Sequence, residues 1–221
     1  MTLTNLKICG ITSRETACFC ASKGVGALGA VFYEKSPRYV TPAQARAFFN
    51  ELPLQIARVG VFVDLPPTTM IAIAREAQLN TLQLHGEESS ETLHALMQTP
   101  YRIIKVLKST GEKLLKQATT LPPQVGILLE CGQGTLPGGN GSVWDWAGAA
   151  PLVPLRPFAL AGGLTPENIL DALLLSKASA CDISSGVESA PGVKDHLAIE
   201  QLINRMDPRQ VKEPQFWHPS N

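Results

Sequence analysis

The sequence predicts an α/β fold in a single domain, a (β/α)8 or TIM barrel. Three observations carry this expectation. Short apolar, β-branched runs alternate with helical patterns along almost the whole chain, which implies right-handed βαβ units and a parallel sheet. The strand-like runs number eight, each followed by a helical segment. Eight such units in roughly 200 residues match the count and size of a closed barrel. A doubly wound open sheet is the competing arrangement, but no G-x-G-x-x-G follows the first strand-like run, so its dinucleotide-binding form loses support.

The elements follow in order. Leu6 to Cys9 reads as strand one, and Arg14 to Lys23 as a helix ended by Gly24. Ala27 to Phe32 is strand two, followed by the polar loop Tyr33 to Val40. Thr41-Pro42 offers a cap and a proline at the first helical position, opening a helix to about Leu52. Ala57 to Val63 is a near-continuous apolar strand, the kind buried on both faces of a parallel sheet. Pro67 to Gln78 is helical, Thr81 to Leu84 is strand four, and Ser89 or Ser90 caps a helix to Met97. Arg102 to Leu107 is strand five, Gly111 to Thr119 a helix, and Val125 to Leu129 strand six. A glycine-rich loop runs from Glu130 to Ser142, with a short helix near Trp144 and Trp146 that fits packing better than cofactor binding. Phe158 to Ala161 is strand seven, and Thr165-Pro166 opens the next helix. Ala180 to Ile183 is strand eight, and the last helix runs from about Lys194 to Met206. The barrel therefore spans 1–206. The polar, proline-rich stretch 207–221 reads as a C-terminal extension free to fray, with Phe216 and Trp217 able to dock on the surface.

Bulk properties narrow the functional classes. The chain has 221 residues, 44% hydrophobic, and a formal net charge of zero. That is enough for one sizeable core and argues against disorder. No basic run suggests nucleic acid, so any anion must be met by local groups. The N-terminal residues lack a charged region followed by an apolar stretch, and no apolar run reaches the ~18 residues of a membrane span. The expectation is a soluble, cytoplasmic protein. Five cysteines, an odd number with no C-x-x-C, speak against a disulfide framework and a zinc site.

In such a barrel, reactive groups sit where strands end and βα loops begin. The tips present Cys9-Gly10, Ser36-Pro37-Arg38, Asp64, His85-Gly86, Lys108, Glu130-Cys131, Gly162-Gly163, and Asp182 followed by Ser184-Ser185-Gly186. The last two loops follow strands seven and eight, the usual phosphate site of these barrels, and combine backbone donors with serine hydroxyls. Taken alone, their glycines also suit plain tight turns. Cys9 at a strand tip is a candidate base, against the default of a small buried hydrophobe. Lys7 leaves the same face of its strand, where its ammonium would favour a thiolate; a structural ion pair is the alternative. Glu130 is a candidate acid or a solvated loop carboxylate. Arg38 suits bidentate binding of a carboxylate, and His85 is either a ligand contact or a structural imidazole.

The segments Lys7-Ile8-Cys9-Gly10-Ile11-Thr12, Lys35-Ser36-Pro37-Arg38-Tyr39-Val40, Val59-Gly60-Val61-Phe62-Val63, Gln83-Leu84-His85-Gly86, Ala161-Gly162-Gly163-Leu164 and Asp182-Ile183-Ser184-Ser185-Gly186-Val187-Glu188, continued by Ser189 to Asp195, resemble the phosphoribosylanthranilate isomerases of tryptophan biosynthesis. The resemblance runs in order from about residue 6 to 206. It implies an Amadori rearrangement of N-(5′-phosphoribosyl)anthranilate, an aldosylamine, to an aminoketose, with no cofactor and no metal. It implies Cys9 as the base that removes the C2′ proton and the residue closing strand six, here Glu130, as the acid that opens the ribose ring. By the same resemblance Arg38 faces the anthranilate carboxylate, and Gly162, Gly163, Ser184, Ser185 and Gly186 grip the phosphate; His85 and Asp182, at the tips of strands four and eight, are the further candidates for substrate contact. The partner is then a small phosphorylated molecule, with no nucleic acid and no membrane, and the protein a monomer or homodimer.

The chain departs from the family pattern at the acid, Leu128-Leu129-Glu130, where aspartate is usual, and at Asn140, where threonine or serine is usual. One methylene changes intrinsic acidity by only about 0.4 unit. A displacement near 1 Å costs on the order of 10²-fold, so geometry is the larger issue. The rival readings are a metal-dependent sugar-phosphate epimerase, disfavoured because only His85 of four histidines is well placed; the analogous histidine-pathway isomerase, disfavoured by Cys9; and a phosphate-binding barrel without catalysis.

Overall fold

Eight parallel strands close on themselves in sequence order: β1 (Leu3–Cys9), β2 (Val25–Val31), β3 (Ala57–Phe62), β4 (Thr81–Leu84), β5 (Arg102–Leu107), β6 (Gly126–Leu129), β7 (Phe158–Leu160) and β8 (Ala180–Ile183), with β8 pairing back to β1. This computed structural model describes residues 3–108, 111–130, 144–206 and 216–217. Cys131 and Asn140 lie outside the described residues.

The helices form where the local chemistry starts them. Helix α1 (Arg14–Ser22) is capped by the Ser13 hydroxyl, which accepts from the Thr16 N–H. Helix α2 (Pro42–Phe49) opens on a full capping box: Thr41 and Gln44 each accept the other's backbone N–H, and Pro42 occupies a first-turn position that needs no donor. Helices α3 (Pro67–Glu76), α4 (Ser90–Met97) and α5 (Gly111–Thr120) follow β3, β4 and β5; Ser89, not Ser90, caps α4. A 3-10 helix (Trp146–Leu152) follows β6, then come α6 (Ile169–Ser176) and α7 (His196–Arg205).

Helix α6 starts later than its Thr165-Pro166 signal. The Asn168 side chain accepts from the Thr165 N–H at 2.8 Å and donates to the Gly163 carbonyl at 2.8 Å, which holds 165–168 as a turn. The last helix starts at His196, because Lys194 belongs to a two-stranded hairpin, β9 (Glu188–Ala190) and β10 (Val193–Lys194), that periodicity did not indicate.

Alternation of side chains divides the core in two. Outward residues such as Leu6, Ile8, Leu28, Phe62, Leu82 and Leu84 pack under the helices, with Phe32 and Phe62 stacked at 5.3 Å. Burial of such side chains contributes about 1.5–3 kcal/mol each. Inward residues Ala27, Ala57, Val59, Ile104, Val106, Leu128, Ala159, Ala161 and Ala180 form a separate interior cluster, which includes Phe216 and Trp217. The expectation that these two aromatics dock on the surface is therefore corrected: both are buried inside the barrel, Trp217 with 0% exposure. Composition could not show this, because a surface and a barrel interior look alike to a lone aromatic pair.

Phe62→Ala should remove the stack and leave a cavity against Leu79 and α3. Destabilisation of about 3–5 kcal/mol is expected, read as a lower midpoint in urea-induced unfolding at an unchanged barrel circular-dichroism spectrum.

Candidate active site

β1 brings Cys9 to the C-terminal rim and ends there because of Gly10. The N–H groups of Gly10 and Ile11 both donate to the Gly29 carbonyl at 2.9 Å, which turns the chain outward. Gly10 holds φ +76°, and a Cβ there would lie 2.5 Å from Arg38 Cδ, so a side chain would displace the arginine.

Cys9 and Lys7 point to the same side, as their spacing predicts. A Cβ on Gly29 would stand 3.0 Å from Cys9 Sγ and 3.1 Å from Lys7 Nζ, so both groups pack over one bare glycine. Lys7 is completely buried, and its Nζ lies 2.9 Å from each carboxylate oxygen of Asp182 across the β1–β8 seam. Burial opposes the ammonium, but Asp182 and Cys9 together outweigh it and the group sits above its ordinary range. The sequence alternatives for Lys7, ion pair or aid to a thiolate, are thus both present in geometry. At Cys9, burial pushes the thiol up; Lys7 pulls it back, Asp182 pushes it up again, and the net direction is up.

Glu130 closes β6 and is buried, not a solvated loop carboxylate. Its Oε2 lies 2.7 Å from His85 Nε2. His85 closes β4; the Lys108 ammonium donates to its carbonyl at 3.2 Å, and Lys105 donates to the Gly86 carbonyl at 2.5 Å and pairs with Glu88 at 2.6 Å. Two lysines thereby hold the loop that carries the imidazole. Asp64, also at a strand tip, accepts from the Glu87 N–H at 2.7 Å and takes no part in the cavity lining.

Arg38 is buried and gripped by Glu188, Nε to Oε1 at 2.8 Å and Nη2 to Oε2 at 2.7 Å. Lys194 binds the same carboxylate at 2.6 Å and donates to the Ser184 carbonyl at 2.9 Å. The paired cations hold the Glu188 carboxyl below its ordinary range against the opposing effect of burial. Burial lowers Lys194, and Glu188 only partly restores it. Neither Glu188 nor Lys194 was singled out from the sequence. Both sit in the hairpin beyond β8, where no periodicity points them inward. Gln83 was missed too, although it precedes His85 by two and so shares its face; its Oε1 is buried without a hydrogen-bond partner among the described residues.

Gly162, Gly163, Ser184, Ser185 and Gly186 form the opposite wall. The β7 and β8 loops touch so closely that a Cβ on Gly186 would fall 1.8 Å from the Leu164 carbonyl oxygen. The Ser184 hydroxyl donates to the Cys9 carbonyl at 3.1 Å, tying this wall to the tip of β1. All ten site residues expected from the sequence, joined by Gln83, line one cavity at the C-terminal mouth. It holds a thiol backed by the Lys7 ammonium behind the wall, a carboxyl beside an imidazole, a guanidinium, and a backbone-rich wall suited to an oxyanion.

A family model described as N-(5'phosphoribosyl)anthranilate (PRA) isomerase matches residues 6–205. The N-(5'-phosphoribosyl)anthranilate isomerase of Paracoccus denitrificans is 38% identical over 216 residues, covering 91% of this chain and 96% of that protein. That of Thermotoga maritima is 39% identical over 202 residues, covering 91% and 97%. The crystal structure of phosphoribosyl anthranilate isomerase from Thermotoga maritima superposes with a TM-score of 0.84 at 37% identity, over 93% of this chain and 98% of that one. A phosphoribosyl anthranilate isomerase in complex with reduced 1-(o-carboxyphenylamino)-1-deoxyribulose 5-phosphate gives 0.78 at 36% identity over the same shares, 93% and 98%. Sequence and fold agree along the whole barrel: this chain belongs to the N-(5'-phosphoribosyl)anthranilate isomerase family.

Proposed function

We propose that the protein isomerises N-(5'-phosphoribosyl)anthranilate to 1-(2-carboxyphenylamino)-1-deoxyribulose 5-phosphate, with Cys9 as general base and Glu130 as general acid. The observation that supports this most is the meeting of both groups in one cavity whose remaining walls suit a phosphate and a carboxylate. Glu130 protonates the ring oxygen, and the ring opens to a Schiff base. The Cys9 thiolate removes the C2′ proton, giving an enolamine. Protonation at C1′ with loss of the 2′-hydroxyl proton completes the ketone, so two protons enter and two leave.

The longer acid is accommodated by its partner. The Glu130 carboxyl meets His85 at 2.7 Å, so the extra methylene is not left free to wander. The imidazole holds the carboxyl in place and can return a proton to it between turnovers. This favours an active enzyme over a barrel that only binds. Arg38 presents to the anthranilate carboxylate the edge that Glu188 does not use. The phosphate rests on the amides of Gly162, Gly163, Ser185 and Gly186. Ser184 contributes through its backbone, since its hydroxyl is committed to Cys9. Asp182 acts from behind Cys9 by fixing Lys7.

Cys9→Ala should lower kcat/KM by about 10²–10⁴-fold and abolish C2′ proton exchange in deuterated water; retained exchange would remove Cys9 from the mechanism. Because the thiol is raised above its ordinary value, the thiolate is a minor form at neutral pH. In the wild type, kcat/KM should therefore rise with pH through the neutral range and level only above the ordinary thiol pKa. A flat profile from pH 6 to 9 would contradict this.

Glu130→Gln should cost a similar 10²–10⁴-fold. Glu130→Asp, although it restores the residue usual in the family, should still lose about tenfold or more, because the shortened carboxyl retreats from His85. Anthranilate fluorescence reports both. Wild-type turnover by the Gln variant would transfer the acid role elsewhere.

Glu188→Gln leaves Arg38 and Lys194 as uncompensated neighbours, so the guanidinium loses its fixed orientation. KM should rise about tenfold while kcat changes less, the pattern of lost substrate binding. A fall in kcat at constant KM would instead place Glu188 in the chemical step.

A further inference from the structure

The family model ends at residue 205, yet Phe216 and Trp217 are part of the interior. Several inward positions carry small side chains: Ala27, Ala57, Ala159 and Ala180 share one interior cluster with the two rings. A Cβ on Gly126 would meet Phe216 Cζ at 3.4 Å. In barrels of this type, bulky branched side chains from the strands usually fill that space. Here Phe216 and Trp217 occupy part of it.

Phe216 and Trp217 are fastened by polar contacts. The Phe216 N–H donates to Asn5 Oδ1 and the Trp217 indole N–H to the Asn5 carbonyl, both at 3.1 Å. The Thr81 hydroxyl donates to the Trp217 carbonyl at 3.1 Å. The rings stand edge to face at 4.9 Å. Lys7 Nζ lies 5.6 Å from the centroid of the Trp217 ring, within reach of a cation–π contact. One line of contacts therefore runs from the C-terminal segment to the reactive thiol, from Trp217 to Lys7 and from Lys7 to Asp182 and Cys9.

We propose that Trp217 is a positioning residue: Phe216 and Trp217 fill the barrel interior beneath the site, and the indole holds Lys7 against Asp182 and beside Cys9. This rests on the reading of Cys9 as the base. The charged groups facing the thiol are Lys7 from β1, Asp182 from β8, Lys194 from β10 and Arg38 from the loop after β2. Of these, only Lys7 rests on the indole. Without the π face, Lys7 stays on Asp182 but tilts toward the vacated space and its charge draws away from the thiol, while the groups that meet phosphate and carboxylate keep their places.

The test uses the full-length protein with Trp217→Leu, which stays apolar but has no π face, and Trp217→Phe, which keeps one. For Trp217→Leu, kcat should fall about tenfold or more, KM should stay within about twofold, and the acid-side limb of kcat/KM should move to higher pH. Trp217→Phe should restore most of kcat and the wild-type limb. If the Leu variant does not fold, Trp217→Met takes its place, because its flexible side chain fills irregular space. A Leu or Met variant that melts earlier but keeps kcat and the limb would overturn the proposal and leave Trp217 as packing alone; so would Leu and Phe variants that behave alike. Failure of the Cys9 reading is seen separately, as retained C2′ exchange in Cys9→Ala.

Discussion

A fully buried ammonium must be matched by a carboxylate, and at Lys7 that requirement organises the site. Closing eight parallel strands turns alternate residues inward, and on β1 this sends Lys7 and Cys9 into the interior together. The β1–β8 register sets Lys7 against Asp182, and both carboxylate oxygens bind the ammonium. Removing either partner of such a pair leaves a buried charge alone, at a cost of about 3–5 kcal/mol. The pair therefore pins the closing seam of the barrel at the level just beneath the Cys9 thiol. It also sets the thiol's character. Lys7 supports a thiolate, but its charge is largely answered by Asp182, so burial decides the direction.

A second ionic cluster does for the upper rim what Lys7 and Asp182 do for the seam. Glu188 joins Arg38 of the loop after β2, Lys194 of the outer hairpin, and through Lys194 the backbone of Ser184. Ser184 in turn holds the Cys9 carbonyl. Three loops far apart in the chain are thus linked through one carboxylate. Their mutual placement is electrostatic and shielded from solvent, which fixes the Arg38 guanidinium and the Cys9 thiol relative to one another.

Much of the fold was legible because strand and helix periods differ and turn residues separate them. Thr81 to Leu84 and Ala180 to Ile183 are strands to the residue, and the Thr41-Pro42 start and the Gly24 stop stand where their chemistry places them. Boundaries moved where a side chain reached beyond its own turn, as Asn168 does in delaying α6. The site was legible for a related reason: in a closed barrel the strand tips are the site, so reading the tips names Cys9, Arg38, His85, Glu130 and Asp182. Glu188 and Lys194 escaped because they lie past β8 in a hairpin with no inward alternation to expose them.

The sequence by itself determined the barrel, the strand-tip groups, and the glycine and serine wall, because each follows from local pattern and from the one closure that eight βαβ units allow. Only the tertiary structure decided which of these groups face one another. Glu130 lies with His85 and not in solvent, Lys7 is claimed by Asp182 while it flanks Cys9, and Arg38 is steadied by Glu188. It also decided that Phe216 and Trp217 belong inside. The small inward residues of several strands leave a volume that exists only once the barrel is closed, and no single stretch of sequence contains it.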